Sequence, residues 1–221
     1  MRRIFYENGL SIVLFALFLA CVIGQSLTGY QVYNQDQQEH HQPQVKYETY
    51  LVSGYLLESL AENWESEFLQ MGLFVLLTAF LFQKGSPESN PLEKQEPSHR
   101  GSAESTHTPS LPWPVRRGGI IFVIYQHSLT IALLLLFAIS FVLHAIGGAK
   151  AYCQEQMEHG NTHCPDALHF VGTATFWFQS LQNWQSEFLS IGMIIVLAIF
   201  LRQKGSSQSK EVASPHGKTG T

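Results

Sequence analysis

Charged residues are almost absent from four windows of the chain, roughly 9–29, 68–82, 119–146 and 188–201, and apolar side chains fill them. The first and third are long enough to cross a bilayer, whose hydrocarbon core of about 30 Å takes about 20 apolar residues in helical form. The second and fourth, of 15 and 14 residues, fit a buried core helix equally well when read alone. Extended back to Trp64 and Trp184, each reaches about 28 Å at 1.5 Å per residue, and tryptophan at that boundary suits an interfacial anchor. The pattern therefore predicts an all-α integral membrane protein with four transmembrane helices, at about 9–29, 64–82, 124–146 and 184–202. The third stretch begins earlier than the first, so residues 120–125 either lengthen that helix or tilt it.

The chain carries one block twice. Asn63-Trp64-Glu65-Ser66-Glu67-Phe68-Leu69 returns as Asn183-Trp184-Gln185-Ser186-Glu187-Phe188-Leu189, and each copy runs through apolar residues to Gln-Lys-Gly-Ser, at 83–86 and 203–206. The spacing is 120 residues throughout this block and 119 further upstream, where 6–12 aligns with 125–131. Residues 9–82 and 119–202 thus read as two repeats, each of two helices joined by an outer loop, 30–63 in the first and 147–183 in the second. An even number of spans per repeat makes both copies enter from the same side, so the repeats are parallel. Leucines and aromatics interleave with polar residues before each second span. That predicts a short amphipathic helix on the outer interface, starting near Pro43 and Pro165.

Charge sets the orientation. The segments 30–67 and 147–187 hold only Lys46 and Lys150 of the 13 basic residues. The positive-inside bias then places residues 1–8, the linker 83–118 and the tail 203–221 in the cytoplasm. Six of the nine prolines fall in 83–118, and this segment and the tail have too little apolar area to offset the entropy of ordering, so both are expected to be disordered. Trp113, beside Arg116 and Arg117, is a third interfacial anchor that returns the chain to the headgroups. Met1-Arg2-Arg3 before an apolar run invites a signal-peptide reading. The run continues past Cys21, however, and a second copy lies mid-chain, so the segment is expected to stay as a span. A net charge of −4 without a basic stripe argues against nucleic acid as a partner.

Candidate chemistry sits at the outer end of the second spans. On a helix, Asn63, Ser66, Glu67 and Gln70 share an arc of about 100°, as do Asn183, Ser186, Glu187 and Ser190. Two readings fit: glutamates in the headgroup region that favour a helix start, or a buried polar cluster facing protein or water. Gln25 and His144 are equivalent positions of the first spans and reach the same depth. A His–Glu pair there would act as a proton relay or pH sensor, against the plainer reading of helix-packing hydrogen bonds. Cys153 and Cys164 lie in the second outer loop, where a disulfide is favoured over free thiols or a metal site with His159 and His163. Gly72 and Gly192 recur at one place and admit a close helix approach.

The chain has no Gly-rich phosphate loop, H-E-x-x-H, G-x-S-x-G or C-x-x-C, so neither an enzyme nor a cofactor is expected. The segments 6–18 (YENGLSIVLFALF), 24–30 (GQSLTGY) and 62–89, with its N-W-E-S-E-F-L to Q-K-G-S block, resemble a bacterial domain-of-unknown-function family of small multi-pass membrane proteins. The resemblance covers the chain apart from linker and tail, and it implies the bacterial inner membrane. The second copy departs from the block at Gln185 and Arg202, and the family supplies no catalytic residues. The expected role is a non-enzymatic structural or envelope-stress component that contacts the lipid bilayer and forms a homo-oligomer. The alternative is a small proton- or ion-coupled transporter or channel using Glu67 and Glu187.

Overall fold

The structure, a computed structural model, describes residues 2–92, 112–158 and 164–220, and every regular element among them is a helix. In order these are α1 (Arg2–Glu7), α2 (Gly9–Glu39), α3 (Tyr47–Leu51), α4 (Gly54–Thr78), α5 (Trp113–Arg117), α6 (Gly119–Gln126), α7 (Ser128–Glu158), α8 (Ala167–Val171) and α9 (Ala174–Phe200). Three stretches are long and apolar enough to cross a membrane: Gly9–Glu39, Ser128–Met157 and Ala174–Phe200, with mean hydropathy 2.4, 2.6 and 1.4 over an 18-residue window in each. α4 does not join them by that measure. Its last 18 residues include Glu62, Glu65 and Glu67, and the apolar residues 79–82 lie beyond its end at Thr78.

The long helices outrun the expected spans. α2 continues through Gln35-Asp36-Gln37 to Glu39, and α7 runs to Glu158, so much of each segment read as a loop is helix. Nothing between Tyr30 and Glu39 is a helix breaker, and a helix once nucleated adds a hydrogen bond per residue. α2 stops in a left-handed turn at His41 (φ 57°), with Gln42 N–H donating to Gln37 O at 2.8 Å and His41 N–H to Gln38 O at 3.1 Å. The amphipathic segment expected before each second span is not a separate interfacial helix. It forms the first half of α4 and of α9, and only α3 and α8, five residues each, stand apart. α4 and α9 begin at hydroxyl caps: Ser53 Oγ accepts the Leu56 N–H at 3.2 Å, and Thr173 Oγ1 accepts the Phe176 N–H at 3.3 Å. The early start of the third stretch is a separate helix, since α6 ends at Gln126 and α7 starts after His127.

The chain folds as two compact units. The first comprises Met1–Ala61 and Val142–Phe176. One core here is Tyr33, Tyr50 and Leu56, flanked by Tyr30, Tyr47 and Leu60, with the Tyr30 and Tyr47 rings edge-on at 5.3 Å. Asn34 brackets the chain as it leaves the turn, donating to Val45 O at 3.2 Å and accepting the Val45 N–H at 2.8 Å. A second core holds Phe170 and Phe176, both fully buried, with Tyr152 beside Phe170. The start of α4 and α7 pack at backbone distance, because a Cβ on Gly147 would lie 2.5 Å from Glu58 N. Tyr33 OH accepts a hydrogen bond from Gln154 Nε2. Cys153 and Cys164 form a disulfide with Cα atoms 4.7 Å apart, tying the end of α7 to the approach to α8.

The second unit comprises Glu62–Phe141 and Trp177–Thr221. In it the two Gln-Lys-Gly-Ser loops are built alike. Gln83 N–H donates to Ser89 Oγ and Gln203 N–H to Ser209 Oγ, both at 2.9 Å, while Gly85 and Gly205 take left-handed φ of 85° and 83°. Residues 203–220, where composition predicts disorder, form turns that pack on the first loop: Gly85 N–H donates to Thr219 Oγ1 at 2.8 Å and Gly220 N–H to Ser86 O at 3.0 Å. The polar side chains supply the order that an apolar core does not. The linker expected at 83–118 is described only at its two ends, and residues 93–111 lie outside the described residues.

Candidate functional site

α4 and α9 meet through polar side chains inside the second unit. Gln70 Nε2 donates to the Glu187 carbonyl at 3.0 Å and to Ser190 Oγ at 3.2 Å, and Ser190 Oγ donates to the same carbonyl at 2.9 Å. Glu187 enters this contact through its backbone carbonyl, and Glu67 lies three residues before Gln70 on α4. Ser66 and Ser186 spend their hydroxyls locally, on Asn63 O and Asn183 O, both at 2.8 Å. Gln70, Ser190 and the Glu187 backbone are therefore together. The stripe itself divides, since Ser66 and Gln70 are buried whereas Asn63 and Glu67 are exposed.

The helix-start reading of the glutamates does not hold. Glu67 and Glu187 each lie 13 residues inside a helix, because α4 and α9 begin at Gly54 and Ala174. The field of a helix end fades within its first turn, so neither carboxylate feels it.

Sequence reasoning missed Glu65. It is fully buried and accepts the Trp184 indole N–H at 3.0 Å on Oε1. Trp184, expected as an interfacial anchor, packs its ring against Phe137 at 6.3 Å and Trp177 at 6.2 Å. Trp64 is half-buried. One signal pointed to Glu65: it is the only position at which the two seven-residue blocks differ, with Gln185 in the second copy.

In the first unit, Gln25 Nε2 donates to Ser59 Oγ at 2.8 Å. His144 is fully buried and stacks on Phe176 with ring centroids 4.6 Å apart. Cys153 and Cys164 are bonded to each other, and His159 and His163, invoked with them as metal ligands, lie outside the described residues. Nearby, Asp166 caps α8: its Oδ1 accepts the His169 backbone N–H at 2.8 Å and meets His169 Nδ1 at 2.7 Å. These bonds hold its carboxyl below the usual range. Trp113 is exposed and carries the Arg117 guanidinium over its ring at 5.2 Å. Gly72 is buried with Leu134 within 3.2 Å of its Cβ position, whereas Gly192 faces open space.

The ends of the two polar helices differ. The α4 carbonyl of Thr78 is capped by Asn90 Nδ2 at 3.0 Å. At α9, Arg202 donates to the carbonyls of Ile199 at 3.2 Å and Leu201 at 2.8 Å, and reaches Ser214 O at 3.0 Å. Lys210, almost fully buried, donates to His216 O at 2.8 Å; burial, with Arg202 and Lys218 nearby, pushes its ammonium below the usual lysine range.

Three helices long and apolar enough to span a bilayer suggest a helical membrane protein. The chain belongs to the family described as Domain of unknown function (DUF6766), whose model matches residues 1–221. No curated protein and no solved structure matches it.

Proposed function

We propose that the protein is a non-enzymatic structural component of the bacterial inner membrane, acting in the envelope through association rather than through chemistry. In this reading the chain spans four times as two parallel repeats, with both termini in the cytoplasm, and it forms a homo-oligomer in the bilayer. α4 supplies the fourth span, with Glu65 facing α9. One observation carries the reading: polar groups of α4 and α9 are used on each other or on their own backbones. Gln70 bonds to α9, Glu65 takes the Trp184 N–H, and the serines bond to their own helices. Interhelical hydrogen bonds of this kind are glue between membrane helices.

A second reading rests on Glu67 and Glu187, which stand at equivalent positions of α4 and α9 beside the Gln70 contact and keep some exposure. Two acids so placed would bind and pass a proton or small cation. The test is a pH gradient imposed on proteoliposomes holding the full chain and followed with a trapped pH-sensitive dye. The structural reading expects the gradient to last as long as in protein-free liposomes. A leak that Glu67→Gln with Glu187→Gln abolishes would overturn it in favour of transport.

A further inference from the structure

A cavity of about 280 Å³ lies inside the second unit, between the later half of α4, α9 and the first Gln-Lys-Gly-Ser loop. Its walls are apolar, with Leu73, Phe74 and Leu77 from α4 and Phe188, Ile191 and Ile195 from α9. The volume is at the low end for ligand sites, which run from about 300 to 1,000 Å³, so it suits one hydrocarbon tail rather than a whole drug-sized molecule. Leu77, Leu81 and Phe82 line the cavity and are also exposed, so the apolar surface continues outward along a chain too long to be enclosed.

The polar rim has one uncommitted charge. Gln70 is spent on α9, the Thr78 hydroxyl on Phe74 O, and the Ser89 hydroxyl on Gln83 N–H and Asn90 O. Glu88 is the only ionisable side chain lining the cavity, and among the described residues no cation pairs with it. Half-buried there, its carboxyl is pushed above the usual range by burial alone. The loop itself does not need the acid. Gln208 stands at the same place in the second loop, where its N–H donates to Ser206 Oγ at 3.2 Å, as Glu88 N–H donates to Ser86 Oγ at 3.2 Å.

We propose that this cavity holds one acyl tail of a phospholipid whose head carries a primary amine, with the ammonium donating to the Glu88 carboxylate. A primary ammonium offers N–H donors that a quaternary head lacks, and an anionic head would set like charge beside Glu88. Lys84, exposed in the same loop, has the sign to meet the phosphate of that head. The site rests on the membrane reading above but not on the choice between a structural and a transport role.

The experiment uses the full chain, purified in detergent and equilibrated with equal amounts of ethanolamine-head and glycerol-head phospholipids of matched tails. Native mass spectrometry then counts the lipids retained. The wild type is expected to keep one ethanolamine lipid with a preference of about tenfold, the worth of a charge-assisted hydrogen bond. Glu88→Gln, which reproduces the residue of the second loop, should bring the two lipids to near parity. Ile191→Trp, which fills the cavity, should lose the retained lipid while circular dichroism and the thermal midpoint show the fold intact. Equal retention of both heads by the wild type would overturn the proposal, as would a preference that survives Glu88→Gln or a lipid that survives Ile191→Trp. Failure of the chain to sediment with carbonate-washed membranes would sink the membrane reading instead, so the two failures are separable.

Discussion

Trp184 of α9 donates its indole N–H to Glu65 of α4 across 3.0 Å, and the carboxylate that receives it has no exposure to solvent. Losing a donor to a buried acceptor costs that acceptor its desolvation, typically about 1–3 kcal/mol. Trp184→Phe should therefore lower stability by about that amount in detergent-solubilised unfolding followed by circular dichroism. Glu65→Gln keeps an acceptor oxygen and should lose less. Equal losses would mean that the charge of Glu65, not its acceptor, matters to the fold.

Gln70 offers a pairwise measurement. Interhelical hydrogen bonds in membrane proteins average about 0.6 kcal/mol and reach about 1.7. A double-mutant cycle of Gln70→Leu with Ser190→Ala should return a coupling in that range. Additive losses, with no coupling, would show that the 3.2 Å contact contributes nothing to association.

Two glycines should behave oppositely. A Cβ at Gly147 meets Glu58 backbone nitrogen at 2.5 Å, so Gly147→Ala must push the start of α4 away from α7. Gly192 faces nothing within 4 Å, so Gly192→Ala should stabilise α9 by up to about 1 kcal/mol through helix propensity. Thermal midpoints of the two variants should move in opposite directions.

Asp166 gives a pH signature. Its carboxyl is held low by the His169 backbone N–H and then by the His169 side chain. A depressed folded value means that the cap stabilises α8 above the ordinary aspartate value of 3.8 and loses its effect as pH falls through the lower, folded one. The His169 amide resonance should titrate below 3.8, and Asp166→Asn should remove that transition.

The apolar windows were legible along the chain because a bilayer and a helix impose a length and a composition that any sequence must meet. Residues 9–29 fall within α2, most of 124–146 falls within α7 and most of 184–202 within α9, and the doubled Gln-Lys-Gly-Ser text corresponds to two loops with the same hydrogen bonds. Helix limits were less legible. A switch from apolar to polar sequence marks a membrane boundary but not the end of a helix, which at Glu39 came only with the left-handed turn at His41.

The polar stripe shows where sequence runs out. Helical periodicity places Asn63, Ser66, Glu67 and Gln70 on one arc, but it does not say what packs against that arc. The approach of α9 buried Gln70 and left Glu67 exposed, and it drew Trp184 onto Glu65, a residue that periodicity alone had left outside the stripe. Composition and spacing by themselves determined that the chain is helical and apolar enough for a membrane. Tertiary packing alone decided which polar groups are spent between helices and which, like Glu88, remain free to bind, because a buried partner comes from distant sequence and leaves no local mark.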